Sequence, residues 1–140
     1  MKMAGGVPDI QLRRITTDSD IVAARKLGRN IAESLGFSRP DQALVATAIS
    51  ELARNIVNYA GKGEIQIAVI QDTKGAGILV RASDQGPGIK DLSKAMQDGF
   101  STGNSLGLGL PGTKRIMDEF DISSQPGEGV LVVAAMWCKP

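Results

Sequence analysis

Apolar positions along this chain follow two different periods. From Ile10 to Thr16 they alternate loosely with polar ones, which predicts an edge strand. Across Asp20–Leu35 and again from about Asp41 to Tyr59 they recur every three or four residues and predict helices. Asp18 or Ser19 is placed to cap the first helix, and Gly36 stands where a left-handed residue closes it. Ser38 is placed to cap the second, with Pro40 in its first turn. Ile65–Gln71 and Ile78–Ser83 flank the turn 72–77 and predict a hairpin. A third main helix is expected from Leu110 or Pro111 to Phe120. The last strands, Asp121–Gln125 and Val130–Trp137, are joined by Pro126-Gly-Glu-Gly129. Between Asp84 and Pro111 the chain is rich in Gly, Ser, Asp and Asn, with at most one short helix near Leu92–Met96. A stretch that long without regular structure in a compact domain is a functional lid or a disordered segment. Helices grouped with hairpins, instead of alternating with single strands, predict an α+β sandwich with a mixed or antiparallel sheet.

Composition narrows the chemistry. The 140 residues suit one domain, 1–140, with a flexible opening at 1–8, and 42% hydrophobic against 22% charged residues suits a globular chain. A net charge of +1 predicts no broad footprint for nucleic acid or anionic lipid. There is no histidine, which removes Ser-His-Asp and Cys-His triads, His-ligated metals and imidazole bases. Cys138 is the single cysteine, so no intrachain disulfide forms. With no apolar run of membrane-spanning length, a cytoplasmic protein is expected. Any chemistry then comes from carboxylates, amides, hydroxyls, backbone groups and a borrowed cofactor.

Three stretches could carry it. In the second helix Val45, Ile49, Leu52, Ala53 and Ile56 share one face, while Glu51 and Asn55, at i and i+4, stack to its side. Small Ala48 beside them leaves room for a bulky group. A carboxylate and an amide oxygen so placed suit a base and a Mg²⁺ ligand at a pocket rim. They equally suit a solvated face with one polar pair. Asp84-Gln-Gly86-Pro-Gly88 directly follows a strand, in a turn where backbone can approach a ligand and an aspartate can accept from an exocyclic amine such as adenine's. A plain surface turn fits the same pentapeptide. Gly99-Phe-Ser-Thr-Gly103-Asn-Ser-Leu-Gly107-Leu-Gly109-Leu-Pro-Gly112 then leads into the third helix. Glycines ahead of a helix expose unpaired N–H groups and the positive dipole end, a cradle for phosphate to which Ser101 and Thr102 add hydroxyls. The motif is neither a dinucleotide fingerprint, which opens immediately after a strand, nor a Walker A loop, since no Gly-Lys-Ser/Thr occurs. Pro126-Gly-Glu-Gly129 reads as a simple hairpin turn, Trp137 as packing, and Cys138 as unreactive. Arg54 and Arg115 stand out as candidate partner or phosphate contacts.

Taken in order, a helical Glu-x-x-x-Asn, a strand-end Asp-x-Gly-x-Gly and a Gly-rich lid feeding a helix resemble the Bergerat ATP-binding fold of the GHKL superfamily. Within it the chain resembles the small switch and anti-sigma serine/threonine kinases, the stressosome switch kinases most closely. The resemblance is carried by Asp20–Asn30, Ala48–Ile56, Tyr59–Gly63, Asp84–Ile89, Asp98–Thr102 and Met117–Phe120. It implies a two-layer α/β sandwich, a mixed and mostly antiparallel sheet with helices on one face, and ATP and Mg²⁺ as cofactors. It implies that Asp84 binds adenine, Asn55 ligates Mg²⁺ and Glu51 is the catalytic base. Gly86, Gly88, Ile89, Ser101, Thr102, Gly103, Leu106, Gly107, Leu108 and Gly109 join the ATP-binding set, the loop from Gly103 to Gly109 wrapping the phosphates within a lid at about 89–109. The implied partners are STAS-domain scaffold or antagonist proteins and a downstream effector such as a PP2C-type phosphatase, with no nucleic acid and no membrane. An anti-sigma factor kinase and a nucleotide-dependent binding module without transferase activity are the alternatives. Val130 departs from the superfamily pattern, which often has Thr there; the departure bears on a hydroxyl-mediated or water-mediated contact to adenine and on nucleotide affinity, not on the fold.

Overall fold

The computed structural model describes residues 10–73, 75–89, 96 and 109–139. The elements along them are β1 (Ile10–Ile15), α1 (Asp18–Ser34), α2 (Arg39–Tyr59), β2 (Gly63–Asp72), β3 (Gly75–Asp84), α3 (Gly109–Ile116), β4 (Glu119–Ser124) and β5 (Val130–Trp137). The opening 1–8 and all but Met96 of the expected short helix lie outside the described residues.

Helix boundaries follow local capping chemistry. The cap of α1 is Thr17, one residue before the expected Asp18 or Ser19. Its side chain accepts from the N–H of Asp20, and the Asp20 carboxylate accepts in return from the N–H of Thr17 at 3.0 Å and of Thr16 at 2.9 Å. A reciprocal box satisfies more orphan donors than a single cap does, which is why Thr17 wins. The backbone N–H groups of Thr16 and then Thr17 hold the Asp20 carboxyl below the usual carboxylate range. Gly36 closes the helix at φ 91°, as expected. Ser38 caps α2 through the N–H of Asp41 at 3.2 Å, with Pro40 in the first turn.

The five strands form one sheet in the order β1-β2-β3-β5-β4, with every described pair antiparallel. Period-2 alternation then sorts side chains by face. The rows Ile65–Ala82–Val132 and Ile67–Val80–Ala134 run across neighbouring strands and are buried. Against them pack Ile21 and Ala24 of α1, and Val45, Ile49, Leu52 and Ile56 of α2. The row Leu12–Gln66–Arg81–Val133–Asp121 points the other way. The result is an α+β two-layer sandwich with its helices on one face.

Two further expected boundaries move: the turn expected at 72–77 tightens, because Ile70 pairs with Gly77 and Asp72 with Gly75, and the third helix is shorter. The third helix stops at Ile116 and does not reach Phe120, because Glu119 and Phe120 pair with Ala135 and Ala134 of β5. Asp118 already turns into the sheet, its N–H donating to the carbonyl of Ala135 at 2.9 Å. Phe120 suits either period, and the ladder hydrogen bonds decide for the strand. No helix among the described residues is long and apolar enough to cross a membrane.

Candidate functional site

The C-terminal half of α2 lies over the ends of β3 and β5, and a cleft opens between them. Leu52, Ile56, Ala82, Ile89, Leu110, Val130 and Val132 make its walls apolar, while Asn55, Tyr59 and Asp84 contribute the polar groups. The cavity these walls enclose is about 30 Å³. Few polar groups in an apolar cleft fix a flat ligand's orientation, since each unpaired buried donor or acceptor costs binding energy.

Asp84 is the last residue of β3, a central strand, and is only 8% exposed. One carboxylate oxygen, Oδ1, accepts from the N–H of Gly86 at 2.9 Å, which folds the turn back on the aspartate. The turn 85–89 is held from outside by the β4–β5 connection. Gly127 donates its N–H to the carbonyl of Pro87 at 2.6 Å. Ser124 Oγ accepts from the N–H of Ile89 at 2.8 Å and donates to the carbonyl of Gly129 at 2.9 Å. Two glycines make this stacking possible. Gly88 and Gly129 both sit at φ 79°, and a Cβ would overlap the carbonyl oxygen of Gln125 at the first and of Asp84 at the second. Pro126–Gly129 is therefore a hairpin turn, as expected, and also the support under the Asp84 turn.

Glu51 lies one helical turn before Asn55 and is buried, at 5% exposure, instead of facing solvent. Both carboxylate oxygens have donors. Arg54 Nη1 approaches Oε2 at 3.1 Å, and the N–H of Gly109 donates to Oε1 at 3.2 Å. The second bond ties α2 to the first residue of α3, where Thr113 Oγ also donates to the carbonyl of Gly109. Asn55 is half-buried and lines the cleft between Glu51 and Asp84. Asn55, Asp84 and Ile89 thus meet at one cleft, Gly86 and Gly88 shape its turn, and Glu51 and Gly109 meet at its α2–α3 edge. Ser101, Thr102, Gly103, Leu106, Gly107 and Leu108 lie outside the described residues.

Sequence reasoning missed Tyr59, Leu110 and Ser124. Tyr59 follows Asn55 by four residues, so its position on the cleft side of α2 was readable from helical spacing. Ser124 acts through a 35-residue separation and left no local signal. Arg54, held open as a partner or phosphate contact, is paired with Glu51, and Arg115 lies on the exposed side of α3.

A family model for the histidine kinase-like ATPase domain matches residues 16–135. The chain belongs to this family. Its fold is that of the histidine kinase-like ATPases, and the match runs from just after β1 to Ala135 within β5. Among its relatives, the serine/threonine-protein kinase RsbT of Bacillus subtilis is 57% identical over 126 residues, 90% of this chain and 95% of that protein. The anti-sigma F factor of Caldanaerobacter subterraneus subsp. tengcongensis is 32% identical over 88% of this chain and 89% of its own. Among solved structures, the RsbU and RsbW domains of a Mycobacterium tuberculosis protein superpose with a TM-score of 0.61 at 19% identity, covering 93% of this chain and 33% of that one. The mycobacterial sensor histidine kinase MprB superposes at 0.53 and 15% identity over 96% of this chain and 99% of its own. At such identities these two speak for the fold alone.

Proposed function

We propose that this chain is an ATP- and Mg²⁺-dependent serine/threonine kinase that phosphorylates STAS-domain partners of the RsbS and RsbR type. Once released from them, it binds and activates a downstream effector such as a PP2C-type phosphatase. The observation that carries the reading is the convergence of Asn55, Asp84 and an apolar wall on one cleft, with buried Glu51 one turn away along α2. Membership in the ATPase family and 57% identity to a serine/threonine-protein kinase support it.

In this reading Asp84 accepts from the exocyclic amine of adenine, and the apolar walls sandwich the ring. The donor set fits magnesium. Asn55 brings an amide oxygen to the cleft, and among the described residues no group of three or more Cys, Asp or Glu side chains could hold a metal by itself. A cation that keeps most of its waters and takes phosphate oxygens needs little more. When bound, it neutralises charge on the phosphates. Glu51 accepts the proton of the acceptor hydroxyl. That oxygen bonds to the γ-phosphorus as the bond to the bridging oxygen breaks, and ADP leaves with the electron pair. Such transfer needs positioning and electrostatics more than covalent catalysis, which a histidine-free chain can supply. The new phosphate changes the partner's charge and releases it.

Transfer of label from γ-labelled ATP to a purified STAS-domain protein tests this. Glu51→Ala and Asp84→Asn should each abolish transfer with the circular dichroism spectrum intact; unchanged transfer refutes the assignments. The anti-sigma F relatives support a second reading, in which the chain sequesters a sigma factor and phosphorylates that factor's antagonist. Pull-down with a sigma factor against a STAS scaffold separates the two.

A further inference from the structure

We infer that Arg54 is a positioning residue for phosphoryl transfer, acting through Glu51 and not on the nucleotide. The inference rests on the reading of Glu51 as the base and adds a residue to it. Arg54 follows Glu51 by three positions on α2, and its Nη1 lies 3.1 Å from Oε2. The two side chains differ sharply in exposure: 42% for Arg54 and 6% for Glu51. A guanidinium reaching inward from the surface thus meets a carboxylate enclosed by protein. Among the described residues that line the cleft are neither Arg54 nor Glu51; the pair sits beside it, next to Leu52 and at the start of α3.

Chemistry gives that contact a purpose. A base must be ionised and aimed when the hydroxyl arrives. An adjacent guanidinium presents fixed planar donors that hold a carboxylate in one orientation. The carboxylate offers about four lone-pair sites. Arg54 takes one on Oε2 and the N–H of Gly109 one on Oε1, which fixes the rotation of the group and leaves a site on each oxygen for an incoming hydroxyl. Seen only as a stabilising contact, a half-exposed i,i+3 ion pair contributes little to folding. Arg54 should therefore matter far more to turnover than to stability.

The test is steady-state transfer from γ-labelled ATP to an RsbS-like STAS-domain protein by four chains: Arg54→Gln, Arg54→Lys, Glu51→Gln and the double variant Glu51→Gln/Arg54→Gln. Arg54→Gln should keep the parent's circular dichroism spectrum and its KM for ATP within about twofold, while kcat falls by about tenfold or more. Arg54→Lys, which keeps the cation, should recover most of kcat. In the Glu51→Gln background the arginine substitution should cost nothing further, because its target is already gone. Four results overturn the inference: an unchanged kcat in Arg54→Gln, a loss confined to KM, a loss of fold, or a double variant slower than Glu51→Gln by the full single-variant factor. A parent-like rate in Glu51→Gln would instead overturn the base assignment itself, so the two failures are told apart.

Discussion

Gly127 and Gly129 occupy one turn with nearly equal dihedrals, φ 83° and 79°, yet an added methyl meets different surroundings. At Gly127 nothing lies within 4 Å of the new Cβ; at Gly129 it overlaps the backbone carbonyl of Asp84 and comes within 3.1 Å of Gln85 Cα. Both alanine variants pay left-handed strain of about 1 kcal/mol. Only Gly129→Ala must also push a neighbour aside, and that neighbour is backbone, which cannot rotate away as a side chain can. Overpacking of this kind costs about 1–3 kcal/mol more, for a total of about 2–4 kcal/mol. The displaced residue is the proposed adenine acceptor. Urea denaturation should therefore rank the proteins parent, Gly127→Ala, Gly129→Ala. Titration with a fluorescent ATP analogue should show at least a tenfold loss of affinity in Gly129→Ala, about 1.4 kcal/mol, and less than a twofold change in Gly127→Ala. Equal stability and equal affinity in the two variants would refute the claim that the β4–β5 turn supports the Asp84 turn.

Other outcomes follow from single contacts. Asp20→Asn should destabilise the protein at pH 7. A carboxyl whose folded pKa is depressed stabilises above its unfolded pKa, so the gap to the parent should close as pH falls through the carboxylate range and the folded pKa below it; a constant gap in denaturation curves from pH 7 to 2.5 would contradict the capping box. A Cβ on Gly28 of α1 overlaps Ile49 Cδ1 of α2, so Gly28→Ala should cost about 1–3 kcal/mol. Ile49→Val removes that atom and should make the same change cheaper, which thermal melting of the double variant checks. Val130→Thr places a hydroxyl at the cleft wall and should tighten ATP binding about fivefold, near 1 kcal/mol for one hydrogen bond; calorimetric titration showing no gain would mean adenine lies elsewhere.

Much of this was readable in the sequence because it depends on local rules. Ser38 with Pro40, and Gly36 after α1, are fixed by neighbours within one turn, and the α2 stripe follows from its spacing. The unbroken apolar run Val130–Trp137 marked the bounds of β5. What failed depends on distant partners. The end of α3 is decided by Ala134 and Ala135, farther along the chain; the α1 cap is the local exception, where Thr17 prevailed over Asp18 because Asp20, three residues on, answers it. At the site, Glu51 and Asn55 were visible as an i,i+4 pair, yet whether they faced solvent or protein was not. Burial of Glu51 comes from α3 packing on α2 and from Gly109, 58 residues later. The pairing with Arg54 is local in sequence, but one helix surface offers many such pairs and only that burial gives this one weight.

The most direct test of the central claim, that base, metal and transfer functions converge on one nucleotide, is a paired measurement on Glu51→Gln: its affinity for Mg·ATP and its rate of label transfer. The account predicts affinity equal to the parent's with transfer reduced by about 10²-fold or more, since a base is removed and the cleft is untouched. Transfer at the parent's rate, or loss of ATP binding along with it, would contradict the account.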